Sequence, residues 1–205
     1  MTRRRNAVSD EAVMAAVTEA LAREGPGVTL ATMARHARLS APRLIQRHGG
    51  RDQLILAAFK WSAARQFEAL RRTVAADRPL EALLATLGLG EREVSARDLR
   101  VGAQWIVFEW ASPTMRRFHR AYQTRLRSSL AGVLRAAVRS GEIPPHDSAL
   151  VAERLLVHLF GMAMYYSFMN DVAGYRREMR RILDWLISSP TAAARGRVSR
   201  RRRAE

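Results

Sequence analysis

The run VTLATMARHARLSAPRLIQRHGGRDQL, residues 28–54, decides the fold of this chain. Its pattern predicts two short helices joined by a tight turn, the second beginning at Ser40 with Pro42 just inside it. Ser accepts hydrogen bonds from free N–H groups at a helix start, and Pro is tolerated there because its missing N–H would be unpaired anyway. Only Arg38, Leu39 and Ser40 are left to reverse the chain. This spacing is typical of a helix-turn-helix, whose second helix can lie in the major groove of DNA.

The outward side of the second helix is predicted to carry Ala41, Arg43, Gln46 and Arg47. Two guanidinium groups and one amide, with no acid among them, suit contacts with phosphates and base edges. Spacing alone leaves a second interpretation open, in which this segment is an ordinary helical corner that does not bind DNA. Short helices joined by turns are common in all-helical proteins.

The same residues resemble the DNA-binding segment of the TetR-type transcriptional regulators. That family carries a run like A-G-V-S-x-x-x-[LI]-Y-x-[HY]-F-x-[SN]-K-[ED]-x-L, and here residues 37–54 read ARLSAPRLIQRHGGRDQL. The positions that fit the family pattern, in this run and just before it, are Thr29, Ala34, Ala37, Ser40, Leu44, Asp52 and Leu54. The resemblance is close over about the first 55 residues, and beyond them it extends only to length and helical character.

Three positions depart from the family pattern. Ile45 replaces a Tyr whose hydroxyl usually reaches a DNA phosphate, so this side chain cannot make that contact. His48 replaces a core Phe, and we expect a structural role for it rather than a pH-sensing one. Arg51 replaces a Lys, keeps its charge and could still hold a phosphate.

The resemblance implies an all-α protein with an N-terminal three-helix helix-turn-helix DNA-binding domain and a C-terminal helical ligand-binding and dimerisation domain. We place the first domain at residues 9–52 and the second at residues 53–188. A basic arm at residues 1–8 and an Arg-rich tail at residues 189–205 are predicted to be disordered, because both lack an apolar face and carry like charge. Whether they touch DNA or only remain solvated is left open.

Composition limits the remaining function classes. The chain has 205 residues, a net charge of +16 and 48% hydrophobic residues, enough for a DNA-binding head and a larger helical body. It has no Cys, which excludes a thiolate nucleophile and Cys-ligated zinc. Its five His are scattered without the spacing of metal ligands. The sequence therefore predicts no enzyme activity, no cofactor and no metal.

Two features of the sequence bear on the cellular location of the protein. The first residues carry charge without the apolar segment of a secretory signal. The most apolar run, residues 155–169, is too short by itself to span a bilayer. We therefore expect a cytoplasmic protein that makes no membrane contact.

Aromatic and Met residues gather in the predicted helices of the second domain. Such linings are adaptable and suit apolar small molecules, with a few polar groups to orient them. Each residue taken alone is as well explained as ordinary core, and the resemblance favours a pocket because TetR-like proteins usually hold an effector there. The predicted ligand-binding residues are Trp61, Trp105, Phe108, Glu109, Phe118, Tyr122, Met162, Tyr165 and Met169.

The last two predicted helices, residues 148–169 and 175–187, are strongly apolar. Such a pair can contribute half of a symmetric four-helix dimer interface, and the resembled family forms its dimers there. The alternative is a helix pair buried wholly within the monomer. The predicted interface residues are Leu155, Leu159, Ile182, Trp185 and Leu186.

Together these features predict a ligand-responsive transcriptional regulator. It would be a homodimeric repressor, released from a pseudo-palindromic operator in double-stranded DNA by a small apolar effector. The residues predicted to contact DNA are Thr29, Ser40, Ala41, Pro42, Arg43, Gln46, Arg47 and Arg51, with Arg43 reading a base and Thr29, Ser40, Arg47 and Arg51 holding phosphates. The alternative is a helical small-molecule- or partner-binding protein whose DNA-reading head is degenerate, as Ile45 and His48 suggest.

Overall fold

The computed structural model describes residues 8–87 and 94–188, and every regular element in these ranges is helical. The elements are α1 (Asp10–Glu24), a 3-10 turn (Gly25–Gly27), α2 (Leu30–His36), α3 (Ala41–His48), α4 (Arg51–Val74), α5 (Pro79–Leu87), α6 (Ala96–Ala111), α7 (Pro113–Arg139), α8 (Ser148–Met169) and α9 (Val172–Ser188). The predicted all-α class is confirmed. The predicted tail, and all of the predicted arm except Val8, lie outside the described residues.

The chain divides into two compact units. Of the described residues, 8–65 and 101–116 belong to the first unit, and 66–87, 94–100 and 117–188 belong to the second. Helices α4, α6 and α7 each begin in one unit and end in the other. The predicted functional boundary at residue 52 is a separate matter and stays a prediction.

Helix α1 begins at a polar cap. The Ser9 hydroxyl oxygen accepts a hydrogen bond from the Ala12 N–H at 3.2 Å, which satisfies one of the free donors of the first turn. The helix ends at Gly25, whose φ of 75° lies in the left-handed region that Gly enters at little cost. The start and the end of α1 are therefore both set by local residues.

Helices α2 and α3 form the predicted helix-turn-helix. Thr29 caps α2 by accepting a hydrogen bond from the Thr32 N–H at 3.1 Å. In the turn Arg38 has a φ of 54°, and the Leu39 N–H donates to the Ala34 carbonyl at 2.9 Å. Helix α3 starts after Ser40, as predicted, but the Ser40 side chain makes no capping hydrogen bond. Its hydroxyl is therefore not used at the start of α3.

The core of the first unit lies under this motif. Its largest fully buried side chains include Val13, Val17, Val28, Met33, Leu44, Leu54 and Ile55. Leu44 is the buried residue of α3, so one completely buried side chain anchors this two-turn helix and leaves most of its surface outside. Burying a Leu stabilises a fold by about 1.5–3 kcal/mol, which offsets the weak intrinsic stability of so short a helix.

Side-chain carboxylates cap two helices of the second unit. Glu142 accepts hydrogen bonds from the backbone N–H groups of Leu80 and Glu81, at 2.9 and 3.3 Å, at the start of α5. Asp147 accepts from Ala149 and Leu150, at 3.0 and 3.1 Å, at the start of α8. Both sites combine a free N–H pair with the positive end of a helix dipole.

Helix α8, Ser148–Met169, has the bounds predicted from the sequence. The expectation that this region is too short for a bilayer rested on the run 155–169 alone and is corrected, because the whole helix has 22 residues. Within the described residues it is the one helix whose length and composition would let it cross a membrane, with a mean hydropathy of 1.2 over 18 residues that are 28% buried. A core helix of a soluble protein passes the same test, so the indication is weak.

Candidate nucleic-acid interface

The outward side of α3 is polar and cationic along one strip. Pro42, Arg43 and Gln46 are all exposed, whereas Leu44 points into the core. Arg43 and Gln46 form no ion pair or side-chain hydrogen bond with any residue that the structure describes. Their donors are therefore available to a partner that approaches this side of the helix.

A surface concavity of about 580 Å³ lies on the same side of α3. Its lining residues are Ser40, Pro42, Arg43, Gln46 and Arg47, five of the eight residues predicted to contact DNA. All five are uncharged or cationic, so the concavity suits an anionic or hydrogen-bonding partner. The geometry thus brings together the residues for which the sequence predicts base and phosphate contacts.

Arg47 is engaged within the chain itself. Its Nη1 donates a hydrogen bond to the Val8 carbonyl at 2.9 Å, and its Nη2 forms an ion pair with Asp10. The Arg47 side chain is 26% exposed. These contacts tie the end of α3 to the start of α1, and the sequence offered no sign of them because their partners lie 37 and 39 residues away.

Arg51 is also committed to internal contacts. Its Nε donates to the Val28 carbonyl at 2.9 Å, its Nη2 donates to the Pro26 carbonyl, and its Nη1 lies 3.2 Å from Asp52 Oδ1. Three of the five N–H donors of a guanidinium are thereby used. The structure gives Arg51 a fold-holding role that the sequence did not reveal, and its predicted phosphate contact stays a prediction.

The remaining residues predicted to contact DNA differ in exposure and in the hydrogen bonds that they already make. The exposed Thr29 hydroxyl caps α2 and also donates to Thr32 Oγ1 at 3.1 Å, so its hydrogen bonds are local. The Ser40 hydroxyl is exposed and makes no capping bond. Ala41 is half-buried beside it. Of the predicted phosphate-binding hydroxyls, Ser40 is thus the one left available.

His48 sits largely inside the first unit, in keeping with the structural role expected of it. Its side chain is mostly buried and its Nε2 lies 3.7 Å from Asp10 Oδ1. That nitrogen is buried and has no hydrogen-bond partner among the described residues. The ring therefore brings a polar atom without a described partner into the first unit, which a Phe at this position would not do.

The predicted effector residues fall into separate groups. In the first unit, Trp105 packs edge-on against Phe59 and Phe108, with ring centroids 5.0 and 5.5 Å apart. Trp61 lies under the guanidinium of Arg65, at 4.9 Å from its ring centroid. Glu109 is half-buried in the same unit. Trp105 and Phe108 are therefore brought into one aromatic cluster.

In the second unit, Phe118 stacks on Tyr122 with centroids 6.2 Å apart, and the Tyr122 hydroxyl donates to Gln66 Oε1 at 2.5 Å. Gln66 is a polar partner that the sequence analysis missed. Met162 is buried, whereas Tyr165 and Met169 are exposed on α8. The predicted effector pocket stays a prediction, with Phe118 and Tyr122 as the part of it that the second unit brings together.

The residues predicted for a dimer interface on the terminal helices differ in burial, and the interface itself stays a prediction. Leu155, Ile182 and Leu186 are buried within the chain, and Leu159 and Trp185 are half-buried. The large apolar residues that α8 exposes are Leu150, Val157, Phe160, Tyr165, Phe168 and Met169. A partner that docks on α8 would thus meet these side chains, which the sequence analysis did not name for an interface.

No group of three or more His, Asp or Glu side chains in residues 8–87 and 94–188 is arranged to hold a metal ion.

Burial raises the pKa of the Tyr175 hydroxyl in the second unit, so this phenol stays protonated well above neutral pH.

Solved structures similar to this chain include a TetR transcriptional regulator from Streptomyces coelicolor. The two share 23% sequence identity and a TM-score of 0.64, over 86% of this chain and 97% of that one. This chain has the TetR fold. SmeT, the repressor of the SmeDEF multidrug efflux pump of Stenotrophomonas maltophilia, shows a TM-score of 0.59 and 17% identity, over 88% of this chain and 89% of its own.

A third solved structure, a transcriptional regulator from a Rhodococcus species, gives a TM-score of 0.58 and 20% identity, over 88% of this chain and 98% of that one. No protein-family profile matches the sequence, and no curated protein matches it. The predicted resemblance is therefore confirmed at the level of the TetR fold.

Proposed function

We propose that this protein is a DNA-binding transcriptional regulator that inserts α3 into the major groove. The observation that carries the proposal is the concavity on α3, whose five lining residues are free of acidic groups. Helix α3 follows α2 after a turn of four residues, 37–40, and a short turn of this kind is the arrangement that presents a recognition helix to duplex DNA. The regulators that share this fold support the same class of function.

Within this proposal the residues on the outward side of α3 contact different parts of the DNA. Arg43 reaches a guanine edge, because its guanidinium is exposed and can donate two parallel hydrogen bonds. Gln46 lies beside it and reads an adjacent base edge. Ser40, with its unused hydroxyl, holds a phosphate. Arg47 adds positive charge at the border of the same surface.

The proposed active form is a homodimer that pairs through α8. Val157 and Phe168 are 69% and 79% exposed, and large exposed apolar patches mark interaction sites. Gly161 lies between them on the helix, and a Cβ built there would meet no atom within 4 Å, so a partner backbone could approach closely. Two copies would present their α3 helices roughly 34–36 Å apart, one turn of DNA, to a pseudo-palindromic operator.

The finer proposal is a cytoplasmic repressor released by a small apolar effector. SmeT, a repressor with the same fold, supports repression of transcription as the regulatory effect. In the second unit, the stacked rings of Phe118 and Tyr122 supply apolar surface, and Gln66 and the Tyr122 hydroxyl supply polar groups that could orient a ligand. If the effector favours the form that binds DNA poorly, effector and operator reduce each other's affinity by the same factor.

In vitro selection from randomised duplex DNA tests the proposal. The full chain should enrich a pseudo-palindromic sequence and bind it at least about 10³-fold more tightly than a scrambled duplex at physiological salt. Replacing Arg43 with Ala should relax that preference at one base pair of the selected sequence. The matched control is Arg23→Ala on α1, which deletes an exposed guanidinium paired with Glu19 and should leave the preference intact.

The same experiment separates the proposal from its alternative. Weak binding that falls steeply with salt and shows no sequence preference would indicate a small-molecule- or partner-binding protein with a degenerate reading head. A stable monomer that nevertheless selects one half-site would retain the DNA-binding class and remove the dimer from the proposal.

A further inference from the structure

Ile45 is a large apolar side chain left exposed on α3. It is 44% exposed, although Leu44 beside it is completely buried and anchors the helix. A β-branched residue brings no advantage to an exposed helix position, because its restricted χ1 makes it a weaker helix former than Ala or Leu. Neither the core nor the helix therefore explains an Ile at this position.

The neighbours of Ile45 divide the outward side of α3 into two strips. Residues three and four positions apart are adjacent on a helix surface, and Ala41 and Pro42 stand in these positions before Ile45. Together with Ile45 they form an apolar strip. A polar strip runs beside it along the concavity and consists of Arg43, Gln46 and Arg47. Pro42 borders both, so the two kinds of surface are presented side by side.

We infer that Ile45 contacts the C5-methyl group of a pyrimidine in the major groove, which is thymine in unmodified DNA. This inference rests on the proposed function, since it requires α3 to enter the groove. The methyl group is the apolar feature that a base edge presents there, and apolar side chains are its partners. Ile45 has no donor or acceptor on its side chain, so it cannot serve the phosphates or base-edge heteroatoms that suit the polar strip.

The contact makes Ile45 a specificity-determining residue. Cytosine lacks the methyl group, so a C·G pair at this position would leave Ile45 without its partner. Cytosine methylated at C5 presents the same group in the same place, so it would replace thymine in this contact. Removing one buried methyl group is expected to weaken binding about fourfold per half-site.

The test uses deoxyuridine, which differs from thymidine only by the absent methyl group. Each thymidine of the selected operator is replaced in turn, in both half-sites, and binding by the full chain is compared with binding by Ile45→Ala. At one position the wild-type protein should lose about tenfold or more in affinity, and Ile45→Ala should lose nothing there. A 5-methylcytosine·guanine pair at that position should bind the wild-type protein more tightly than cytosine·guanine does.

The matched control is Gln46→Ala on the polar strip. It should lower affinity for the operator while keeping the full penalty for deoxyuridine, because an amide makes no methyl contact. Thermal unfolding of Ile45→Ala should match that of the wild type, since the side chain is exposed and Ala favours the helix.

The possible outcomes separate the inference from the function on which it rests. If a preferred operator is found but wild type and Ile45→Ala respond alike at every thymidine, the inference is overturned and the proposed function stands. If selection yields no sequence that the protein prefers over scrambled DNA, the proposed function fails and takes the inference with it.

Discussion

The guanidinium of Arg51 lies 6.0 Å from the ring centroid of Phe108. The same group donates hydrogen bonds to the carbonyl oxygens of Pro26 and Val28. One side chain at the start of α4 thus joins the turn before α2 to a ring of α6, all within the first unit. A planar fork of donors that can also lie over an aromatic ring makes this possible, and a Lys could not reproduce it.

Replacing Arg51 tests whether it holds the fold or a phosphate. Arg51→Ala should lower the free energy of unfolding by about 1–3 kcal/mol, since two backbone carbonyls lose a charged donor. Arg51→Lys should recover little of that loss. The salt dependence of DNA binding should stay unchanged if the role is internal, and should become shallower by about one unit if Arg51 neutralises a phosphate. Urea titrations and binding at several salt concentrations give both quantities. Full stability in Arg51→Lys would rule out the internal role.

Arg43→Ala should relax sequence preference at one base pair of the operator. The expected cost at that position is about 1–3 kcal/mol for the preferred pair, while affinity for random DNA changes much less. Competition binding with operators mutated at each position measures the difference. An equal loss of affinity on specific and on random DNA would show that Arg43 contacts only the backbone.

Gly25→Ala should destabilise the first unit by about 1–3 kcal/mol, because a φ of 75° with a ψ of −167° is a conformation that only Gly adopts easily. A Cβ at this residue would also lie 2.8 Å from Gln104 Oε1. Chemical denaturation measures the effect, and Gly27→Ala is the matched control because a Cβ there meets no atom within 4 Å. The double variant Gly25→Ala/Gln104→Ala should remain unstable, since the backbone strain persists. Equal stability of the two single variants would contradict this explanation.

Glu142→Ala should cost about 0.5–2 kcal/mol, because two N–H groups at the start of α5 lose their acceptor. Glu142→Gln keeps one acceptor oxygen and should lose less. Glu81→Ala serves as the comparison, since it removes an exposed carboxylate that pairs with Arg78 instead of capping the helix. Should Glu81→Ala prove as costly in thermal unfolding as Glu142→Ala, the capping role would not hold.

Val157→Glu should weaken self-association by about a hundredfold or more, because a symmetric interface would bury an unpaired carboxylate from each copy. Sedimentation velocity over a range of protein concentrations detects the shift. Ser128→Glu adds the same charge to an exposed position on α7 and should leave association unchanged. An unaltered dimer in Val157→Glu would exclude this part of α8 from the interface.

The local features of the fold could be predicted from the sequence. Helix α3 starts directly after Ser40 as expected, because the start of a helix depends on residues within one turn of it. The outward position of Arg43 and Gln46 follows from helical periodicity once α3 is placed. These predictions needed no knowledge of how distant segments pack.

The features that the sequence could not give depend on tertiary structure. Arg51 meets carbonyls 23 and 25 residues away, and a backbone carbonyl leaves no signature in a sequence. Helix α8 is apolar on nearly every side, so periodicity could not tell that Leu155 is buried while Val157 is exposed. The predicted dimer interface on this helix therefore stays a prediction, and burial within the chain is the property that the sequence could not assign residue by residue.

The two glycines of the turn at residues 25–27 should differ in how well they tolerate substitution during evolution. Two glycines stand two positions apart, yet one is required by its backbone angles and the other has open space around it. Domains are stable by only about 5–15 kcal/mol, so selection would remove a substitution at Gly25 that lowers the free energy of unfolding by about 1–3 kcal/mol. A substitution at Gly27 would have little effect on stability and would be retained. Descendants of this protein should therefore vary at the second glycine long before they vary at the first.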